Sequence, residues 1–323
     1  MKTYKIPHTD LEVSRLAYGT WHMGGSWDHT PPTDELKARA DLLIKTAVEH
    51  GINHIDLADI YTKGKSDAVV GYALAQNPGL REKLVLQAKC GIQLGGEPQA
   101  DDPGRYNFDY DHIVGAVEGT LKRLGTYYVD LLALHRPDPL IEPEEVAKAF
   151  DHLQTSGKVR YFGVSNHNAG QMALLQKFVE QKLVLNQVEL NLLHHQLISD
   201  GIVANMDGHY TAVHGTLDYC RLNDIMIQAW SPVAGGQLLS PAEDAPDNIK
   251  ATAALIAELA EKHSTTKEAI AVGWLLRHPA GIQPIVGTLK AERIGQTAPA
   301  DDVQLSRVEW YNLLAAARGA GVP

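Results

Sequence analysis

Short apolar runs alternate along this chain with longer stretches whose apolar positions recur every three or four residues, and the alternation persists from residue 16 to residue 286. A run bounded by turn formers reads as a strand, whereas a stripe at three- and four-residue intervals reads as a helix with one face on a core. Residues 16–19 form the first strand. Residues 34–49 follow with apolar positions at Leu36, Ala40, Leu43, Ile44, Ala47 and Val48, a helical stripe that Gly51 closes. Further strands are expected at 52–56, 84–88, 129–134, 159–164, 183–187, 225–229 and 283–286. Between them helices are expected near 65–75, 111–124, 144–156, 168–179, 215–223 and 250–262. Eight strands with intervening helices predict an α/β protein of the (β/α)8 TIM barrel type. A doubly wound sheet would alternate similarly, but no GxGxxG follows the first strand, which favours the barrel. Ahead of it, KTYKIPHTDLEVSRL alternates around His8-Thr9-Asp10 and predicts an N-terminal β-hairpin that plugs one end.

Three connections are too long for simple turns: 91–110, 188–214 and 231–249. The first two are rich in Gly, Asp, Asn and His; the third opens SPVAGGQL before turning rich in Pro and Asp. In a barrel, such loops at the C-terminal face wall the pocket. With 323 residues, 44% of them hydrophobic, the chain can bury a large core, and the unbroken pattern predicts one domain over 1–323. Its 29 basic and 39 acidic residues give a net charge of -10, without a dense Lys/Arg block, which argues against a nucleic-acid partner. Cys90 and Cys220 are far apart, giving neither a disulfide framework nor metal-ligand spacing, as in a reducing compartment. The opening MKTYKIPHTDLEVSRL lacks the apolar core of a signal peptide, and no apolar run approaches the roughly 18 residues that span a bilayer. A soluble, cytoplasmic protein without membrane association is expected, monomeric or weakly homo-oligomeric.

Four polar residues stand at the ends of apolar runs: Asp56 and Tyr61 in HIDLADIY, Lys89 in VLQAKCG and His135 in LLALHRP. Singly, an Asp after a strand is a turn former and a Tyr is packing. Lysine and histidine at inner strand ends are harder to dismiss, because an unpaired buried charge is expensive. Asp56 is the partner available to Lys89. If the ammonium sits beside the Tyr61 hydroxyl, it lowers the tyrosine pKa from its usual ~10 toward working pH. Tyr61 would then serve as a general acid where negative charge builds on a carbonyl oxygen, with His135 orienting that oxygen. Such a reaction needs a hydride as its second reactant.

These residues resemble the aldo-keto reductase family, a barrel family that uses a nicotinamide cofactor, and the resemblance runs from GTWHMGG at residues 19–25 to PIVGTLKAERI at 284–294. It implies that Asp56, Tyr61, Lys89 and His135 are a catalytic tetrad, with Tyr61 the proton donor. HRPDP and GKVRYFGVSN are similar to a bacterial oxidoreductase branch. The resemblance further places Gly19, Thr20, Trp21 and Asp56 against the cofactor. Ser165, Asn166 and Gln187 would hold the nicotinamide carboxamide, which needs both a donor and an acceptor. Trp230 would stack on the nicotinamide, and Ser231, Pro232 and Leu238 would belong to the loop over the pyrophosphate, whose glycines permit close backbone approach. In GTLKAER, Gly287, Thr288, Lys290 and Arg293 match the segment that grips the adenosine 2'-phosphate, which implies NADPH rather than NADH. Gln296-Thr297 depart from a common Glu-Asn and leave the adenine contacts open, with Gln296 the position carried over.

Trp21, His22 and Trp27, with Tyr61 and His135, are expected to wall a pocket for a small carbonyl substrate. His194, His195, His209 and His214 share one loop, but their spacing matches no common metal site, and none is assigned. The implied activity is NADPH-dependent reduction of an aldehyde or ketone. Members of this family such as potassium-channel β subunits instead use bound cofactor as a sensor, which keeps a regulatory binding subunit as the alternative. A phosphate-binding isomerase barrel would leave the four residues and Trp230 unexplained.

Overall fold

The computed structural model describes residues 1–202 and 215–322. It opens with an antiparallel hairpin, β1 (Thr3–Lys5) and β2 (Glu12–Ser14), in which Tyr4 lies opposite Val13. Among the described residues, eight parallel strands then close a barrel. They are β3 (Ala17–Gly19), β4 (His54–Asp56), β5 (Val85–Cys90), β8 (Val129–Leu134), β9 (Val159–Ser165), β10 (Leu183–Glu189), β11 (Met226–Trp230) and β12 (Gln283–Val286). Each lies beside its successor, and β12 closes on β3. Every expected strand forms, with bounds shifted by two residues at most.

Alternation along each strand decides what enters the barrel. In β5, Leu86, Ala88 and Cys90 join the layer packed under the helices, while Val85 joins the core beneath the hairpin. Gln87 and Lys89 share the Val85 face; Gln87 bonds across the barrel to Gln228, and Lys89 bonds Asp56 on the neighbouring strand. The hairpin closes the N-terminal end: Ile6, Leu11 and Val13 pack on Val85, Leu131, Ala133, Val184, Leu185 and Met226. It is the expected plug, and it leaves only the opposite end of the barrel open for a site.

The helical layer comprises α1 (Asp34–Glu49), α2 (Lys65–Gln76), α3 (Tyr110–Leu124), α4 (Pro143–Thr155), α5 (Ala169–Gln176), a short α6 (Gln196–Ser199) and α7 (Thr216–Leu222). Between β11 and β12, where one helix was expected, there are two, α8 (Asp247–Lys262) and α9 (Lys267–Leu276). Residues 269–276 of α9 are all buried, so its sequence AIAVGWLL shows no polar face from which helical periodicity could be read. The 91–110 connection contains a small hairpin, β6 (Ile92–Gln93) with β7 (Arg105–Tyr106). Two more helices follow the barrel, α10 (Ala291–Thr297) and α11 (Arg307–Arg318). No helix among the described residues is long and apolar enough to cross a membrane.

Two devices tie α11 to the body. Trp274 and Trp310 stack with ring centroids 5.1 Å apart, and each indole N–H donates to the other residue's carbonyl. Glu309 closes a capping box with Ser306 and receives Lys262 and His263 from the end of α8. Burial alone would raise the Glu309 pKa; hydrogen bonds from Lys262, Ser306 and His263 outweigh it and hold the carboxyl at about 2. A carboxylate depressed in this way stabilises the fold above its ordinary value of 4.5, and the contribution disappears as pH falls through about 2. Glu309→Gln, which keeps the cap but removes the charge, is therefore expected to lower stability at neutral pH by about 1 kcal/mol in urea unfolding. The gap from wild type should close between pH 4.5 and about 2, with turnover unchanged.

Candidate active site

The barrel brings the four sequence-selected residues together at the end away from the hairpin. Asp56 ends β4, Lys89 is the penultimate residue of β5, His135 follows β8, and Tyr61 sits in the turn after β4. Register fixes their heights: Asp56 is level with Gln87, and Lys89 with Ala133 of β8. Lys89 Nζ donates to Asp56 Oδ1 at 2.5 Å, an ion pair in which both side chains are buried. The same ammonium lies 4.9 Å from the centroid of the Tyr61 ring, and the Tyr61 and His135 rings meet edge to face at 5.8 Å.

The electrostatics depart from expectation at Tyr61. Burial pushes its hydroxyl pKa well above 10.0, the Asp56 and Asp59 charges add to the rise, and Arg136 opposes it. Lys89 does not achieve the expected lowering, because its charge is neutralised by Asp56 and it stands against the ring, with no hydrogen bond to the hydroxyl. Burial also lowers the Lys89 pKa, against the pull of Asp56. His135 is driven well below 6.5 by burial, with Lys89 and Arg136 adding to the effect, so its imidazole is neutral. Beside Tyr61, burial and the Asp67 charge raise Asp59 to about 7. Burial raises Asp67 itself to about 6 although Arg123 holds it with two hydrogen bonds.

A cavity of about 710 Å³ opens above these residues. Asp56, Tyr61 and His135 reach its wall, whereas Lys89 lies behind them. Trp21, His22 and Trp27 line it too, and Trp21 stacks on both His22 and Tyr61. Gly19, Ser165, Asn166, Gln187, Trp230, Ser231 and Pro232 line the cavity, and Gly287, Thr288, Lys290 and Arg293 line it as well. Three expected contacts lie elsewhere. Thr20 is fully buried and donates through both its amide and its hydroxyl to the Asp56 carbonyl. Leu238 is packed in the core, and Gln296 is exposed; their neighbours Leu239 and Thr297 reach the cavity instead.

The cavity lining combines aromatic, amide and cationic side chains. Trp230 Nε1 donates to Asn166 Oδ1 at 3.1 Å, which fixes the indole plane. The Gln187 Oε1 accepts no hydrogen bond from the described residues and remains available as an acceptor. Asn166, Ser231 and Ala234 have φ of 61°, 53° and 51°, left-handed values that β-carbon-bearing residues adopt at a cost and that cluster at binding sites. A β-carbon at Gly235, Gly236 or Gly287 would meet nothing within 4 Å, so these backbones border open space. Neither Lys290 nor Arg293 has a carboxylate partner among the described residues.

Arg136, Ile60, Ile92, Glu268 and Val272 also line the cavity and were not anticipated. Arg136 was within reach of sequence reasoning, since it directly follows His135, and its guanidinium lies 5.7 Å from the centroid of the Trp230 ring. Glu268 and Val272 share a face of α9, a helix whose pattern was unreadable. Among the described residues no group of three or more His, Cys, Asp and Glu could hold a metal ion. His195 pairs with the Ser199 hydroxyl, His194 lies 4.0 Å from Glu189, and His209 and His214 fall outside the described residues.

The chain is 38% identical to the uncharacterized oxidoreductase YcsN of Bacillus subtilis, covering 97% of both chains. It is 37% identical to a 6-dehydroglucose reductase of Agrobacterium fabrum, again with 97% of each covered. The glycerol dehydrogenase AKR11B4 of Gluconobacter oxydans superposes with a TM-score of 0.81 at 26% identity, covering 97% of this chain and 95% of that one. The model of the aldo/keto reductase family matches residues 15–317. A closed eight-stranded parallel barrel, oxidoreductase relatives over nearly the whole length and that family match converge on one statement: the chain belongs to the aldo/keto reductase family.

Proposed function

We propose that this oxidoreductase reduces a small aldehyde or ketone to the alcohol with NADPH, Tyr61 donating the proton. The observation that carries the reading is the buried Lys89–Asp56 pair against Tyr61, with neutral His135 beside it, at the wall of a cavity large enough for a cofactor and a small substrate. The family generally uses nicotinamide cofactors, which supply a hydride when bound. The chain's own residues account for the rest. Tyr61, kept protonated by burial, carries the proton at its hydroxyl, and a neutral His135 can donate an N–H to the same carbonyl oxygen. Tyr61 is placed by the turn and the Lys89 contact, and the His135 backbone is anchored by its amide, which donates to the Cys90 carbonyl at 2.9 Å, while its ring Nδ1 has no partner among the described residues. A cationic His135 would carry an extra buried charge, and its low pKa prevents that.

The preference for NADPH rests on Lys290 and Arg293, two cations without carboxylate partners among the described residues, beside the Thr288 hydroxyl. A dianionic 2'-phosphate is the ligand such a set suits. For the carbonyl, the pocket offers aromatic surface at Trp21 and Trp27 with polar tips at His22 and Arg136. The names of two relatives, 6-dehydroglucose reductases of Agrobacterium fabrum and Novosphingobium aromaticivorans, make hydroxylated aldehydes the first substrates to assay.

Oxidation of NADPH with a panel of aldehydes and ketones tests the reading. Tyr61→Phe should lose at least about 100-fold in kcat, the range for a positioned general acid, while fluorescence titration shows cofactor affinity within twofold of wild type. Full activity in Tyr61→Phe would refute the acid role. Arg293→Ala should weaken NADPH by about tenfold or more and leave NADH nearly unchanged, since a charge-assisted contact to phosphate is lost. Equal weakening of both cofactors would refute the 2'-phosphate assignment.

A further inference from the structure

One level of the barrel interior is filled by amides where branched apolar side chains ordinarily interdigitate. Gln87, Gln187, Gln228 and Gln283 are at most 2% exposed. Register sets them side by side: Asp56 pairs with Gln87, Gln187 with Gln228, and Gln228 with Gln283. They form one connected chain. Gln283 Nε2 donates to the carbonyl of Ser14 at 2.7 Å, and Gln283 Oε1 accepts from Gln228 Nε2 at 2.8 Å. Gln228 Oε1 accepts from Gln87 Nε2 at 2.8 Å and from Gln187 Nε2 at 3.1 Å. Both of those amino groups also donate to Asp56 Oδ1, at 3.1 and 2.7 Å, the oxygen that receives Lys89.

The direction of this chain is set at its far end. A backbone carbonyl can only accept, so Ser14 turns the Gln283 amino group toward the hairpin and its oxygen toward Gln228. Gln228 must then give its N–H to Gln283 and its oxygen to Gln87 and Gln187. Those two residues are left with one amino hydrogen each, and Asp56 receives both. Reversing any amide would set like groups face to face in a dry interior, where an unmatched polar group is heavily penalised. Gln228 is wholly buried and absent from the cavity wall, so it contacts neither cofactor nor substrate. Packing does not call for it either, since replacing hydrogen-bonded partners by apolar groups of the same shape is often neutral or stabilising.

We propose that Gln228 is a positioning residue for the reductase chemistry: by fixing Gln87 and Gln187 it holds Asp56 Oδ1 against Lys89, and thereby sets the ammonium beneath Tyr61. The inference rests on the reductase reading above. It makes the Ser14 carbonyl, at the hairpin end of the barrel, part of the support of the site at the other end.

Two substitutions separate positioning from space filling. Gln228→Met removes the acceptor for Gln87 and Gln187. Gln228→Glu, protonated in this interior, keeps that acceptor and still donates to Gln283. The expected result is a kcat about tenfold lower in Gln228→Met, with the KM for the carbonyl within twofold of wild type and a smaller change in the Kd for NADPH than in kcat, and recovery to within about threefold in Gln228→Glu. Unchanged kcat in Gln228→Met overturns the inference, as does an equal loss in both variants accompanied by weaker NADPH binding. If Gln228→Met yields no folded protein, Gln283→Met decides by the same division between kcat and KM, with a smaller loss expected and an unchanged kcat overturning it. Wild type and Tyr61→Phe run alongside: an inert wild type sinks the reductase reading and this inference together, whereas an active wild type with an unaffected Gln228→Met sinks this inference alone.

Discussion

A lysine and an aspartate paired inside a barrel impose conditions on everything around them. Moving either charge out of water carries a penalty of several kcal/mol that their attraction offsets only in good geometry with the remaining polar atoms satisfied. Lys89 and Asp56 have that close geometry because β4 and β5 are adjacent and in register, and amides from β5 and β10 supply further donors to the same carboxylate oxygen. They also require water to be kept out from below. The hairpin does this, its Ile6, Leu11 and Val13 filling the end of the barrel that would otherwise open to solvent. The plug, the register and the amide layer are thus consequences of placing one ion pair at the centre.

The pair is close to neutral as a unit, and that changes how the tyrosine above it is read. An isolated ammonium would favour the phenolate; an ammonium already matched by a carboxylate exerts little net field, and burial together with Asp56 and Asp59 keeps the Tyr61 proton in place. A group that must deliver a proton gains from staying protonated across the working pH range, and its acidity is needed only when charge develops on a bound oxygen. His135 follows the same logic from the other side: burial keeps its imidazole neutral, so it can donate a hydrogen bond without adding a second cation to the site. In this arrangement the low dielectric holds each group in the form in which it is useful.

The strands were legible because a barrel strand is a short apolar run between turn signals, and the candidate site was legible because polar residues interrupt those runs only where the interior admits them. The interruptions at Asp56, Lys89 and His135 are therefore more informative than any apolar position. Gln87, Gln187, Gln228 and Gln283 are interruptions of the same kind, and only Gln187 drew attention, through its resemblance to a known contact; a glutamine carries no charge whose burial demands explanation. The wall contributed by α9 was hidden for the opposite reason. Buried on all sides, AIAVGWLL has neither the stripe of an amphipathic helix nor a period of two, so Glu268 and Val272 could not be placed.

That hidden helix bears on the cavity wall beside α10. Gln296 points into solvent, while Thr297 and Glu268 both reach the wall, and the Thr266 hydroxyl before α9 donates to the Gln296 carbonyl, tying α9 to the end of α10. Glu268 thus lines the cavity where the resemblance points to the Gln296-Thr297 positions. It comes from a different helix, held through the Trp274–Trp310 stack and the α8–α11 junction. Residues beyond the last barrel strand in this way pack against the helix that contributes to the wall where Arg293 and Lys290 stand.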